Sequence, residues 1–256
     1  MNLSELSTKI TNAPNLDFGT IFGNSFELFK KTWGQGTIML LLNMVLILPA
    51  LIILYIPIIV AAASGIPESE IQAGNLSPWY MIVFFILFIP VMAVVQTITI
   101  GLTAGFYRIV KEKDLNESRS DSNLFMFLKK DTLGKLFMLS IFSLGITIGA
   151  VLLCYFPVFY VAVPIGLFSV ILAFNPELTA KEIVKASFKL GNKKWLLLFG
   201  LMIVASLLSQ IVGLLLCGIG IFFTASFVYL PNYLVYKEAV GFEDSSKISQ
   251  IETTEF

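Results

Sequence analysis

The chain has 256 residues, of which 57% are hydrophobic and 13% are charged, and its formal net charge is zero. Soluble domains are typically about 45–50% apolar and about 25% charged, so this composition predicts a protein whose surface lies in lipid. A neutral chain has no field that would attract nucleic acid, and the absence of histidine removes the commonest metal ligand and general base near neutral pH.

Two segments precede the first predicted span. Residues 1–16 are predicted to form a polar tail. Residues 17–33 carry apolar side chains mostly at i, i+3 and i+4 spacing, with Lys30 and Lys31 in the last turn and Trp33 at the end. An apolar face rich in phenylalanine and tryptophan, beside basic residues, is typical of an amphipathic helix in the membrane interface. A core helix packed on the bundle is the alternative.

The first two predicted spans are residues 37–63 and residues 79–110. The first is longer than the roughly 20 residues that cross the hydrocarbon, and Trp79 marks the interface at the start of the second. A kinked or broken helix is expected where proline removes a backbone donor. The prolines concerned are Pro49, Pro57 and Pro90.

The middle of the chain is predicted to repeat this arrangement. Residues 124–130 form a short aromatic segment that ends in Lys129 and Lys130, as a weaker copy of the first amphipathic helix. The apolar run over residues 133–175 has room for two spans, and residues 155–157 are the natural place to turn. No polar loop marks that turn, so a re-entrant pair, which enters and leaves from one side, is the alternative.

Residues 179–195 form the next predicted helix. Thr179 and Glu182 match the capping-box pattern, in which each side chain accepts a hydrogen bond from the backbone of the other residue. The apolar face of this helix leads to Trp195. The basic residues of this segment are Lys181, Lys185, Lys189, Lys193 and Lys194.

The predicted fifth and sixth spans are residues 196–217 and residues 221–236. A second polar tail, residues 237–256, is predicted to follow them. The chain between the two tails, residues 17–236, is predicted to be a single membrane domain.

This domain is predicted to contain an internal repeat. The segment from Ile183 to Trp195 matches the segment from Ile21 to Trp33 at six of thirteen positions. The identical pairs are Ile21/Ile183, Ser25/Ser187, Phe26/Phe188, Leu28/Leu190, Lys31/Lys193 and Trp33/Trp195. The repeat-like units are residues 17–113, 123–175 and 179–236.

The distribution of charge predicts the topology. With six spans, all seventeen lysines and arginines fall on one side of the membrane, whereas the opposite side carries only Glu68 and Glu70. The positive-inside rule then predicts a multi-pass protein of the bacterial inner membrane with both termini in the cytoplasm. The hairpins are parallel, related by an axis along the membrane normal. The predicted fold is an all-α polytopic transmembrane bundle of six spans, with a cytoplasmic amphipathic interfacial helix before each of three hairpins.

Few residues of the spans carry chemistry. Asn43, Gln96 and Gln210 are interpreted as interhelical hydrogen-bonding groups, and a small polar site near the membrane midplane is the alternative. Cys154 and Cys217 follow no metal-ligand spacing and are interpreted as small apolar residues rather than a disulfide. No charged residue lies deep in a predicted span, which argues against an ion-coupled pump. We therefore expect neither an enzyme nor a cofactor.

Aromatic, glycine and proline residues spread over most of residues 17–240 resemble the pattern of a known family. They are Phe26, Trp33, Gly105, Phe106, Tyr107, Arg108, Pro157, Pro176, Ala186, Ser187, Leu190, Lys194, Trp195, Gly213, Gly218, Gly220, Pro231 and Tyr236. By these residues the chain resembles uncharacterised bacterial six-span membrane proteins related to the membrane domain of glycerophosphodiester phosphodiesterases. The resemblance implies an all-helical membrane fold without a known reaction. Some relatives are described as carotenoid-cleaving oxygenases, whose iron is held by histidines, and this chain has none.

The sequence thus predicts a non-enzymatic scaffold or accessory protein, whose partners are membrane lipids and a protein in the membrane. Lysines near anionic lipid each contribute about 1 kcal/mol. The predicted headgroup contacts are Lys30, Lys31, Lys129, Lys130, Lys181, Lys185, Lys189, Lys193 and Lys194, and the predicted interface anchors are Trp33, Trp79 and Trp195. The alternative is a small-solute or lipid carrier, with its midplane polar site at Asn43, Gln96 and Gln210.

Overall fold

The computed structural model describes residues 1–65, 78–117, 122–153, 155–216, 218 and 220–242. Within these ranges every regular element is a helix and no strand is present. The all-α prediction is therefore confirmed. Glu68 and Glu70, Cys154 and Cys217, and the predicted tail beyond Phe242 lie outside the described residues.

The helices follow one another with short connections. Their bounds are α1 Leu3–Asn12, α2 Phe18–Ala63, α3 Pro78–Leu115, α4 Lys130–Leu152, α5 Phe156–Gly166, α6 Phe168–Phe174, α7 Ala180–Lys193, α8 Trp195–Leu215, α9 Gly220–Thr224, a 3-10 helix Ala225–Tyr229, and α10 Leu230–Val240. Five segments of the described chain are long and apolar enough to cross a membrane: Phe18–Ile56, Ile82–Leu115, Lys130–Leu152, Phe156–Phe174 and Trp195–Leu215. They agree with the prediction of a membrane protein.

The sixth predicted span differs from the other five. Residues 221–236 were expected to form one helix, but α9, the 3-10 helix and α10 divide residues 220–240 into three consecutive pieces. Pro231 lies in the first turn of α10, where its missing N–H costs nothing and where it favours a helix start. No single helix of this segment is long enough to count as a spanning helix.

The N-terminal segment is a helix where the sequence predicted a polar tail. Asn2 and Glu5 form a capping box at the start of α1. Leu6 and Ile10, four residues apart on one face, are completely buried because α1 packs against α7 and α10. Two apolar residues in a polar stretch are a weak sequence signal, but they are enough to hold one helical face against a preformed surface.

The predicted amphipathic helix and first span are one continuous helix, α2, of 46 residues. Asp17 begins it, because its carboxylate accepts hydrogen bonds from the backbone N–H (2.8 Å) and hydroxyl (3.0 Å) of Thr20. The predicted break at Pro49 or Pro57 does not occur, since both prolines lie within α2. Proline removes one backbone donor, and the rest of the helix retains its own hydrogen bonds.

The core lies where α2, α3, α6, α7 and α10 meet. All of α6 from Phe168 to Ala173 is buried, and Phe106 and Tyr107 of α3 are fully buried beside it. Gly105 lets the segment after α3 approach closely, because a Cβ at this position would lie 2.5 Å from the carbonyl oxygen of Leu124. The apolar side chains outside this core are largely exposed, as expected for surfaces that face lipid.

The turn within residues 133–175 occurs at the predicted place. Helix α4 ends at Leu152 and α5 begins at Phe156, with Tyr155 in a left-handed conformation at φ 63° between them. A second interruption follows at Leu167, three residues after Pro164, so the return segment consists of two short helices.

Candidate functional site

Three of the predicted headgroup lysines bind the N-terminal segment instead of facing outwards. The Nζ atom of Lys189 donates to the Ser7 hydroxyl, that of Lys193 to the Thr11 carbonyl, and that of Lys194 to the Pro14 carbonyl. These contacts fasten α1 along α7. The basic face of α7 therefore serves largely as an attachment surface for the beginning of the chain.

Lys194 is the most enclosed of the nine predicted headgroup lysines, with 7% of its surface exposed. Burial lowers the pKa of its ammonium group, and the neighbouring charge of Lys193 lowers it further. An ammonium group in this position is held for internal bonding and has little surface to offer to a headgroup.

The other six predicted lysines are exposed: Lys30, Lys31, Lys129, Lys130, Lys181 and Lys185. Lys30 forms an ion pair of 2.7 Å with Glu27 and lies over the ring of Phe26, 4.9 Å from its centroid. An exposed pair of this kind contributes little to stability, so the ammonium group remains exchangeable with other anions. The structure thus reduces the set of headgroup candidates from nine lysines to six.

The predicted tryptophan anchors occupy two kinds of environment. Trp33 and Trp79 are 48% and 66% exposed, as expected for side chains at a lipid interface. Trp195 is half-buried, because its indole N–H donates to the Tyr160 carbonyl at 3.1 Å and its ring stacks on Phe199. Trp195 therefore joins α8 to α5.

The three predicted polar residues of the spans do not converge on one site. Asn43 accepts a hydrogen bond of 3.1 Å from the Thr99 hydroxyl, between α2 and α3. Gln96 donates to the Ser143 hydroxyl at 3.3 Å, between α3 and α4. Gln210 is exposed on α8. Separate pairs of this kind are the usual arrangement of polar residues that hold spanning helices together.

A cationic pocket that the sequence analysis missed lies between the end of α3 and the connection from α6 to α7. Its volume is about 180 Å³. Its lining residues are Met1, Arg108, Lys111, Phe174, Pro176, Glu177, Tyr236, Gly241 and Phe242. The guanidinium group of Arg108 lies 5.5 Å from the centroid of the Phe174 ring, and the ammonium of Lys111 lies 5.0 Å from that of Phe242. The pocket is thus formed by two cations, each held over an aromatic ring.

The two cations of this pocket are poorly hydrated. Lys111 is only 5% exposed, and its ammonium lies 3.9 Å from the carboxylate of Glu117. The Nε atom of Arg108 is buried and has no hydrogen-bond partner within the described part of the chain. The available signal in the sequence was the i, i+3 spacing of Arg108 and Lys111 at the end of an apolar run, which places both on one helical face.

A second polar cluster joins α3 to α10. The Asp114 carboxylate accepts hydrogen bonds from the Tyr233 hydroxyl at 2.8 Å and from the Lys237 ammonium at 2.7 Å. All three groups are partly buried, and together they fix the last helix against the end of α3. The cluster is satisfied internally.

No group of three or more histidine, cysteine or acidic residues that could hold a metal ion occurs in the part of the chain that the structure describes. Comparison with known proteins gives no match to a family model, to a curated protein or to a solved structure. The resemblance to the six-span bacterial family therefore stays a prediction, and functional argument has to proceed from this chain's own residues.

Proposed function

We propose that this protein is a non-enzymatic scaffold or accessory protein of the bacterial inner membrane that contacts anionic lipid headgroups. The observation that carries the proposal is the set of six exposed lysines beside long apolar helices, described above. Lysines on the cytoplasmic side of a membrane are attracted to anionic lipid. We also propose membership of the six-span family that the sequence resembles.

We propose further that both termini lie in the cytoplasm. Met1 is supported in this position by its ammonium group, 2.5 Å from the Glu177 carboxylate. Phe242 packs on Phe174, with ring centroids 4.6 Å apart. The first and last described residues thus lie at the same end of the bundle, next to the same connection. This arrangement requires an even number of crossings, so the divided segment 220–240 would cross together with α8.

For residues 133–175 we favour the re-entrant alternative over two full crossings. The Tyr160 carbonyl contacts Trp195, and its hydroxyl donates to Asn192 at 2.6 Å. Both partners lie at the end of α7, whose exposed Lys181 and Lys185 need water. With two full crossings, the beginning of α5 and the end of α7 would lie on opposite faces, about 30 Å apart. The contact supports a hairpin that enters and leaves on the cytoplasmic side.

The carrier alternative has less support. A midplane substrate site requires convergent polar groups, and Asn43 and Gln96 instead pair with separate partners on different helices. An apolar cavity of about 280 Å³ lies beside α2 and α8, but its polar side chains, Ser209 and Thr224, are bonded to each other's carbonyls at 2.9 Å. Such a lining suits an apolar chain better than a polar solute.

Purification in mild detergent, followed by measurement of retained lipid and of protein partners, tests the proposal. We expect the wild type to retain anionic lipid in excess of its share of the membrane. Glutamine at the six exposed lysines should abolish this enrichment, whereas Lys9→Gln, on the solvent-exposed face of α1, should not change it. Equal lipid composition in all three proteins, without a co-purifying partner, would refute the proposal.

A further inference from the structure

We propose that the pocket between α3 and the α6–α7 connection is a binding site for a phosphate-type anion, with Arg108 and Lys111 as its ligands. This inference rests on the proposed function, because it assigns a specific site to contact with an anionic headgroup. Neither residue belongs to the exposed lysines on which the general proposal depends. The pocket can therefore be tested separately from the surface.

The first argument is the balance of charge. The cations at the pocket are Arg108, Lys111 and the amino group of Met1, and the acids near them are Glu177 and Glu117. Glu177 is engaged by the Met1 amino group at 2.5 Å, whereas Glu117 lies 3.9 Å from Lys111. With both acids counted, the surroundings retain one positive charge. An anion with a single negative charge, such as a phosphodiester, would neutralise it.

The second argument is desolvation. Removing a charge from water is costly unless a partner replaces the lost hydrogen bonds. Lys111 is almost completely buried, and the Nε donor of Arg108 has no partner among the described residues. Ionisable residues at membrane depth are rare and usually functional. A bound phosphate would supply acceptor oxygens to the guanidinium and the ammonium together.

The third argument is geometry. Phe174 and Phe242 hold the two cations by their ring faces, which fixes their positions without consuming their N–H donors. A volume of about 180 Å³ is below the roughly 300 Å³ at which pockets for drug-sized ligands begin. The site is thus suited to a small anion. A lipid headgroup and free phosphate share the chemistry that the pocket recognises.

Thermal unfolding of the full chain in a neutral detergent distinguishes these two sources. Inorganic phosphate and short-chain phosphatidylglycerol are titrated separately at constant ionic strength, with short-chain phosphatidylcholine as the zwitterionic control. Because a ligand that binds only the folded state stabilises it, the midpoint should rise saturably with one of the two anionic probes. A rise with the lipid alone identifies a headgroup site, and a rise with phosphate identifies a site for the free anion.

Substitutions then locate the site. Arg108→Gln and Lys111→Gln should each weaken the apparent affinity by about tenfold or more, because a charge-assisted contact is lost. Arg108→Lys, which retains the charge, should recover part of it. Lys113→Gln is the matched control, since Lys113 is exposed two residues along the same helix, and its affinity should equal that of the wild type.

The proposal is overturned if neither anionic probe gives a saturable shift in the wild type. It is also overturned if folded Arg108→Gln and Lys111→Gln proteins respond as the wild type does. If glutamine prevents folding, the wild-type titration and Arg108→Lys decide. Loss of bulk lipid enrichment in the six-lysine variant, together with an unchanged pocket titration, would leave the general proposal standing and refute only the pocket.

Discussion

Gly105→Ala should strongly destabilise the protein. A Cβ at this position would lie 2.5 Å from the carbonyl oxygen of Leu124 and 2.8 Å from that of Asn123. Both are backbone atoms, so rotation of a side chain cannot relieve the collision. Overpacking typically costs about 1–3 kcal/mol, and we expect a loss near the upper end, about 3 kcal/mol, because the segment from 122 to 129 must move away from α3.

Gly134→Ala is the matched control. Gly134 lies in α4, and a Cβ there would meet no heavy atom within 4 Å. Alanine is favoured over glycine inside a helix by about 0.5–1 kcal/mol, so this variant should be slightly more stable than the wild type. The two alanine variants should therefore differ by roughly 3.5–4 kcal/mol in their free energy of unfolding.

Equilibrium unfolding in mixed micelles, followed by circular dichroism, measures this difference. The two variants carry the same chemical change in helices of the same fold, so general effects of alanine cancel between them. If Gly105→Ala unfolds within about 0.5 kcal/mol of Gly134→Ala, which is the usual range for an inconsequential surface change, the close packing of residues 122–129 on α3 is refuted.

Three further predictions concern α1, α7 and the topology. Leu6→Ala should release α1, because a buried leucine typically contributes about 2–5 kcal/mol, and hydrogen exchange over residues 1–14 should rise markedly, whereas Lys9→Ala should leave it unchanged. The hydrogen bonds from the backbone and the hydroxyl of Thr179 lower the pKa of Glu182, so the stability that this cap provides is present above the ordinary glutamate pKa and is lost as the pH falls through the folded value. Glu182→Gln should therefore reduce the difference in melting temperature between neutral and acidic pH. In a cysteine-free background, Tyr155→Cys should resist an impermeant thiol reagent added outside spheroplasts; labelling from outside would refute the re-entrant hairpin.

Local signals in the sequence predicted local structure well. The Thr179 and Glu182 pattern predicted a capping box, and both of its hydrogen bonds are present, at 2.8 Å and 3.4 Å. The turn near Tyr155 was also placed within a few residues. These features depend on neighbours three or four residues away, so a single sequence contains nearly all of the information that determines them.

Contacts between distant segments were not predictable in the same way. Lys189 and Ser7 are 182 residues apart in the chain, and no periodicity connects them. The basic stripe on α7 predicted a surface for lipid because positive charge near a membrane usually has that role. Half of its purpose became visible only when α1 was found along the same face, with Leu6 and Ile10 beneath it.

Hydropathy also predicts which segments can cross a membrane without predicting the depth at which they lie. Phe156–Phe174 qualifies as a span by length and composition, yet its first turns contact the end of α7 through Tyr160 and Trp195. Helix α7 must keep its exposed lysines in water, and a hydrogen bond between two segments requires them to share one depth. The lysines of one helix therefore constrain the position of another helix that carries no charge, and this constraint enters only through the tertiary contact.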